Sequence, residues 1–202
     1  MKVSEPVAIV LLAAGGSLRM GQPKQLLSFE DKSLLRRAAD EAASSHLGPL
    51  VVVLGENAMR MMGELEGLVY HHCVNDDWQA GMGTSIRAGI QLVQQNHPYC
   101  QYTLVMLCDQ PYVDSNHLIK LANTCQKSEK PIAASVYQGT VGVPACFHHS
   151  YFGRLSQLKG SIGARKLLLE FAHDVATVSF PLGSIDIDTP QDYQNLNMDG
   201  KA

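Results

Sequence analysis

Runs of apolar residues alternate along the chain with segments whose apolar positions recur at helical spacing. Val7–Ala14 and Leu50–Leu54 (LVVVL) are continuous apolar runs, the second strongly β-branched, and read as buried strands. Leu68–Val74, Thr103–Cys108 (TLVMLC), Ile132–Tyr137, Ala145–Phe147 and Ala176–Phe180 are further strands. Between them the periodicity predicts helices over Ser33–Ser45, Ala58–Glu66, Thr84–Gln95, Ser115–Thr124, Tyr151–Leu158, Ala164–Phe171 and Pro190–Leu196. Strands alternating with helices of this length imply βαβ units: a mostly parallel sheet with helices on both faces. No Pro/Gly/Ser linker, repeat or low-complexity tract divides the chain, so residues 1–202 are expected to form one α/β domain.

Composition narrows the class. With 46% hydrophobic and 17% charged residues the chain is globular. A net charge of −3 excludes a general nucleic-acid binder, whose footprint is basic. No stretch approaches the roughly 18 uncharged apolar residues of a membrane span. The first apolar run follows Lys2 and Glu5 and ends in a Gly-rich loop, not a cleavage site, so a cytoplasmic protein is expected. Cys73, Cys100, Cys108, Cys125 and Cys146 form no CxxC pair and suggest neither zinc nor a disulfide framework. The pairs His71-His72 and His148-His149 do not chelate one ion easily, because neighbours on a strand face opposite ways.

In such sheets ligands sit outside the carboxyl ends of strands. Three strand ends, and one late segment, carry unusual sequence. Leu12-Ala13-Ala14-Gly15-Gly16-Ser17-Leu18-Arg19-Met20-Gly21-Gln22-Pro23-Lys24 runs from a strand into a glycine-rich loop with two cations. Small residues let backbone N–H groups approach a phosphate chain, and Arg19 and Lys24 can neutralise it. The spacing is neither GxGxxG nor GxxxxGK[ST], and a flexible turn with two solvated cations reads equally well. Asn75-Asp76-Asp77-Trp78-Gln79-Ala80-Gly81-Met82-Gly83-Thr84-Ser85 ends where a helix begins, so Thr84 or Ser85 could cap it, and its N–H groups and hydroxyls form a donor cluster. Asp109, in Leu107-Cys108-Asp109-Gln110-Pro111, follows a buried strand with no capping role, whereas Asp114 has an easy one. A lone carboxylate there fits Mg²⁺, which takes one or two carboxylates beside water and phosphate. In Ile185-Asp186-Ile187-Asp188-Thr189-Pro190, strand alternation puts Asp186 and Asp188 on one face. One can cap the last helix and the other ligate a cation.

Together these residues resemble the MobA-like NTP transferase family, and within it the molybdenum cofactor cytidylyltransferase (MocA-like) branch. The segment Leu12–Lys24 matches the family's LAAGxSxRMGxxK, Asn75–Ser85 resembles N-x-x-W-x-x-G-M-G-[ST]-S, LCDQP is present letter for letter, and Asp186–Tyr193 resembles DIDTPxDY. The resemblance implies a single-domain Rossmann-like GT-A nucleotidyltransferase fold. It implies transfer of CMP from CTP to the terminal phosphate of molybdopterin, with Mg²⁺ as cofactor and release of pyrophosphate. Leu12, Ala13, Ala14, Gly15, Gly16 and Ser17 would line the nucleotide, with the last three on the triphosphate. Arg19 and Lys24 would counter phosphate charge and, with Asp109, form the catalytic set. Asp109 and Asp188 would hold the metal, while Asn75, Gly81, Gly83, Thr84 and Ser85 would lie at the nucleoside. Within the family LAAG accompanies CTP, so Ala13-Ala14 implies CTP.

The sequence departs at Gly160-Ser161-Ile162-Gly163-Ala164-Arg165, where the branch carries GDxGAR. Ser161 removes an acid on the pterin side, which leaves the acceptor open to a sugar or polyol phosphate. Gly139–Pro144 resembles the family's G-x-P segment on that side. A different class of reading is an adapter that carries mature cofactor to a molybdenum hydroxylase client, for which Ser161 and Met59, Met61 and Met62 are the pointers. A plain NTP-binding regulatory domain is a third. Neither nucleic acid nor membrane is expected as a partner.

Overall fold

A computed structural model describes residues 3–17 and 20–199. The chain runs β1 (Val7–Leu12), β2 (Ser28–Phe29), β3 (Lys32–Ser33), α1 (Leu34–Ser44), β4 (Leu50–Leu54), α2 (Ala58–Glu64), β5 (His71–Val74), α3 (Met82–Asn96) and β6 (Tyr102–Leu107). It continues through α4 (Ser115–Lys127), β7 (Ile132–Tyr137), β8 (Thr140–His148), α5 (Phe152–Ser156), α6 (Ala164–Glu170), β9 (Val175–Ser179) and α7 (Pro190–Asp199). Seven strands make one sheet in the order β5-β4-β1-β6-β8-β7-β9. Pairing is parallel except where β8 meets β6 and β7. The α/β fold with a mostly parallel sheet follows the sequence expectation.

Continuous apolar strands arise because both sheet faces are covered. On β1, Val7, Ile9 and Leu11 pack with α1 and α4 residues such as Leu35, Ala39 and Leu118. Ala8, Val10 and Leu12 face the other way, against Ile86 and Ile90 of α3 and Leu155 of α5. Gly89 lets α3 lie tight on β1, since a Cβ there would sit 2.4 Å from a Val10 methyl carbon. Asp114 caps α4 by accepting from His117 N at 2.7 Å, as expected. Lys32 and Arg36 share Asp40, and Arg37 pairs with Glu30. Of the methionines, Met61 is core and Met59 is exposed.

Strand β8 is longer than the predicted Ala145–Phe147, because Gly142 and Pro144 read as turn residues. They are accommodated by a register shift at Ala134/Ser135, which leaves Val143 and Pro144 outside the ladder. A proline in mid-sheet then needs no N–H partner. The displaced carbonyls are served by side chains: Ser135 Oγ donates to Pro144 O, and Gln110 Nε2 and Tyr137 OH donate to Val143 O.

The same bulge holds a titratable group. His117 Nε2 lies 2.8 Å from Ser135 Oγ, whose hydrogen is committed to Pro144 O, so Nε2 carries the imidazole proton and donates. Burial, with Lys120 adding and Asp114 opposing, pushes the His117 pKa down to about 4. The unfolded chain therefore binds more protons between about pH 6.5 and 4, and stability falls as pH drops through that window. The expected slope is about 1.4 kcal/mol per pH unit at most. Urea midpoints across this range should fall more steeply for the wild type than for His117→Gln. Parallel curves would exclude the histidine as the cause.

Candidate active site

A cavity of about 620 Å³ opens at the carboxyl ends of β1 and β6. Four segments far apart in the chain build it, one of them residues 78–85. From β1, residues 13–17 leave the sheet as a loop, and the chain returns through a short 3-10 turn, Lys24–Leu26. From β6 comes Cys108-Asp109-Gln110, and Ile187 N donates to Asp109 O at 3.0 Å, drawing in the segment before α7. A small apolar cluster of Met20, Leu27, Phe29, Leu34, Ile187 and Leu196 pins the two returning segments together. Gln110 Nε2 also donates to Gly183 O at 2.9 Å, tying the CDQP turn to the same region.

The centre of the site is Lys24. Its ammonium lies 2.5 Å from Asp109 Oδ2 and 2.7 Å from Asp188 Oδ1. Burial alone would lower the Lys24 pKa, but the charge and hydrogen bonds of Asp109 and Asp188 outweigh it and raise it above the ordinary lysine value. Lys24 is therefore a full cation at neutral pH. Asp186 feels the charge of this group. Burial, then the charges of Asp188 and Asp109, push its pKa up. Neither Asp186 nor Asp188 caps α7, and residues 185–188 form no strand, contrary to the sequence reading. Thr189 caps α7, its Oγ1 accepting from Asp192 N at 3.2 Å, and Asp192 reciprocates by accepting from Thr189 N at 2.7 Å and Asp188 N at 3.2 Å. Asp188 is thus turned toward Lys24.

The donor set fits a divalent cation of the hard, oxygen-ligated kind. Asp109 is 9% exposed, and its Oδ1 is buried without a hydrogen-bond partner among the described residues. Asp109 and Asp188 already converge on a positive charge. Among the described residues no three His, Cys, Asp or Glu side chains gather to hold an ion. Two carboxylates, with water and phosphate completing the shell, are what Mg²⁺ takes.

Of the residues singled out in the sequence, Leu12, Ala13, Ala14, Gly15, Gly16, Ser17, Lys24, Gly81, Ser85, Asp109 and Asp188 line this one cavity. Arg19 lies outside the described residues. Asn75, Gly83 and Thr84 do not line it. Asn75 is buried, and its Nδ2 donates to Thr84 Oγ1 at 2.8 Å and Ser85 Oγ at 2.9 Å. The helix cap is Gly81 rather than Thr84 or Ser85. Gly83 is pressed on the 159–162 turn, where a Cβ would meet Ile162 O at 2.7 Å. These three residues brace the rim. The two segments expected on the acceptor side meet through Arg165 Nη2, which donates to Thr140 Oγ1 at 3.2 Å.

Of the lining residues that the sequence reading did not assign to the site, Gln25 and Trp78 shape the loop. Gln25, 1% exposed, donates through Nε2 to Ala13 O at 3.0 Å and Gly15 O at 2.6 Å. Its signal was only its place beside Lys24. Ser17 adopts a left-handed φ of 51°, with its Oγ accepting from Lys24 N at 2.9 Å and donating to Gln25 Oε1 at 3.3 Å. Gln25 and Ser17 thus lock the glycine loop from below. Trp78 lies on Gly16, where a Cβ would come within 2.4 Å of the indole. Its position inside the NDDW stretch was the available clue.

A family profile described as a MobA-like NTP transferase domain matches residues 9–175. Purine catabolism protein PucB of Bacillus subtilis (strain 168) is 30% identical over 197 residues, covering 91% of this chain and 92% of that protein. Nicotine blue oxidoreductase of Paenarthrobacter nicotinovorans is 38% identical over 104 residues, 50% of this chain and 48% of that protein. A solved structure of Rv0371C from Mycobacterium tuberculosis H37Rv in complex with manganese superposes with a TM-score of 0.79 at 28% identity, covering 95% of this chain and 97% of that one. Among the described residues no helix is long and apolar enough to cross a membrane.

Proposed function

Because the chain belongs to the MobA-like NTP transferase family, we propose that it transfers CMP from CTP to the terminal phosphate of a molybdopterin-type acceptor, releasing pyrophosphate. The observation that carries this reading is the meeting of Lys24 with Asp109 and Asp188 in the cavity lined by the glycine loop. The choice of CTP rests on Ala13-Ala14, and the choice of acceptor on the four motifs. Arg19 joins the catalytic set on motif alone.

The chemistry follows from charge. An acceptor phosphate oxygen forms the new P–O bond to the α-phosphorus while the bond to the bridging β-oxygen breaks in line, and pyrophosphate leaves with that electron pair. The acceptor is ionised at neutral pH, its second pKa being about 6, so no general base is needed. Repulsion between two anions is the main obstacle, and positioning with charge neutralisation is the answer. Gly15, with nothing within 4 Å of where its Cβ would sit, leaves room for the triphosphate to lie along the loop, and Lys24 supplies positive charge to it. Asp109 and Asp188 would hold Mg²⁺, which when bound neutralises phosphate charge that grows in the transition state. A molybdenum hydroxylase is a natural client for such a product.

Melting the protein with CTP, GTP, ATP or UTP, each with and without Mg²⁺, tests the nucleotide. At one hundred times Kd a ligand adds about 2.7 kcal/mol, a rise of about 5–10 °C for a chain of this size. The largest rise is expected with CTP and Mg²⁺, and a GTP preference would overturn the reading of Ala13-Ala14. Pyrophosphate release that needs both CTP and molybdopterin tests the acceptor. An adapter would bind without releasing it.

A further inference from the structure

The position between Asp109 and Asp188 is already occupied by a cation of the chain's own. Lys24 reaches it from a backbone fixed by Lys24 N donating to Ser17 Oγ at 2.9 Å and Leu27 N donating to Lys24 O at 3.1 Å. The backbone cannot move far, whereas the four-carbon side chain can rotate. The ammonium and the glycine loop border the same cavity, so the side chain has two destinations within reach: the carboxylates, or phosphates lying along Gly15 and Gly16. An ammonium and a divalent ion cannot share the same two oxygens, 2.5 Å and 2.7 Å from Nζ.

We propose that Lys24 acts as a resident counter-ion that keeps divalent metal out of the nucleotide-free site, and that arrival of the triphosphate draws Lys24 off the carboxylates and so admits the metal. The proposal rests on the reading of Asp109 and Asp188 as the cation site. The charge count supports it. With the ammonium in place, Asp109 and Asp188 are partly neutralised, and a free ion must break two charge-assisted bonds to enter. With the ammonium moved onto phosphate, Asp109 and Asp188 lose its charge, and Asp109 Oδ1, which has no hydrogen-bond partner among the described residues, is open to an incoming cation. Metal and nucleotide then bind cooperatively, because each favours the same position of one side chain.

The probe is Mn²⁺ alone, followed by electron paramagnetic resonance of the unbound ion, on the full chain without nucleotide. Wild type is expected to bind weakly, Lys24→Met at least tenfold more tightly, and Lys24→Arg no better than wild type, since a guanidinium keeps the charge. For the wild type, the melting shift given by Mn²⁺ and CTP together should exceed the sum of the separate shifts. This second measurement needs no variant and decides the matter should Lys24→Met fold poorly. Equal or weaker Mn²⁺ binding by a folded Lys24→Met, or additive shifts, would overturn the exchange. Asp109→Asn separates the two levels: if it leaves Mn²⁺ binding unchanged, the cation-site reading itself fails. If it abolishes binding while Lys24→Met does not tighten it, only the exchange fails.

Discussion

Replacing Asp109 with Asn is expected to cost at least about 10³ in turnover while leaving the fold intact. A bound metal contributes several kcal/mol of transition-state charge stabilisation, and each 1.36 kcal/mol is about tenfold in rate. Asparagine keeps the shape but gives up the charge that holds a hard cation. Stability should change little, for a reason visible in the site. Asp109 and Asp188 share Lys24, and their charges add to the larger effect of burial in raising the pKa of Asp186. Removing one negative charge relieves repulsion and offsets the weakened pairing of Lys24, which retains Asp188. The carboxyl of Asp186 should shift back toward the ordinary range. Initial rates of pyrophosphate release, with melting curves alongside, check both halves. Turnover within tenfold of wild type would remove Asp109 from the metal-holding role.

Much of this arrangement was legible in the sequence, and the reasons differ by element. The apolar run of β1 was unambiguous because every residue from Val7 to Leu12 is buried, on alternating faces. LVVVL was equally clear, all five residues being buried. The glycine loop, Lys24, Asp109 and Asp188 could be picked out because glycines and charges beside apolar strand ends have no reason of their own to be there. What failed were inferences that needed a long-range partner. β8 hid behind Gly142 and Pro144 because the carbonyls those residues leave unpaired are satisfied by Ser135, Gln110 and Tyr137 from other elements. Asp186 and Asp188 read as a strand because alternation is local, whereas the hydrogen bond from Ile187 N to Asp109 O joins segments far apart in the chain. Thr84 and Ser85 read as caps because caps are read from adjacency, whereas both hydroxyls accept from Asn75 Nδ2, nine and ten residues away.

Gln25 is the residue whose importance adjacency could not reveal, and Gln25→Glu should expose it. The two side chains have the same shape, so packing is preserved and only the hydrogen-bond polarity changes. Nε2 now donates to both Ala13 O and Gly15 O in a site 1% exposed. A carboxylate oxygen there would face two carbonyl oxygens, with the Ala13 bond buried throughout. Leaving buried polar groups unpaired costs about 1–3 kcal/mol each. A loss of about 3 kcal/mol is therefore expected, or about 6–12 °C in melting temperature for a chain of this length. Protonated glutamic acid can restore one donor, so the deficit should shrink as pH falls, opposite in sign to the acid loss set by His117. The glycine loop should suffer first. Ser17 holds its left-handed φ of 51° partly through Gln25, and a displacement of about 1 Å in a positioning element can cost 10²-fold in rate. Nucleotide-induced stabilisation should accordingly fall more than the melting temperature alone implies. A Gln25→Glu protein melting within about 2 °C of wild type would mean that the loop carbonyls find other donors, and that the loop's shape is set by Ser17 and the glycines without the amide.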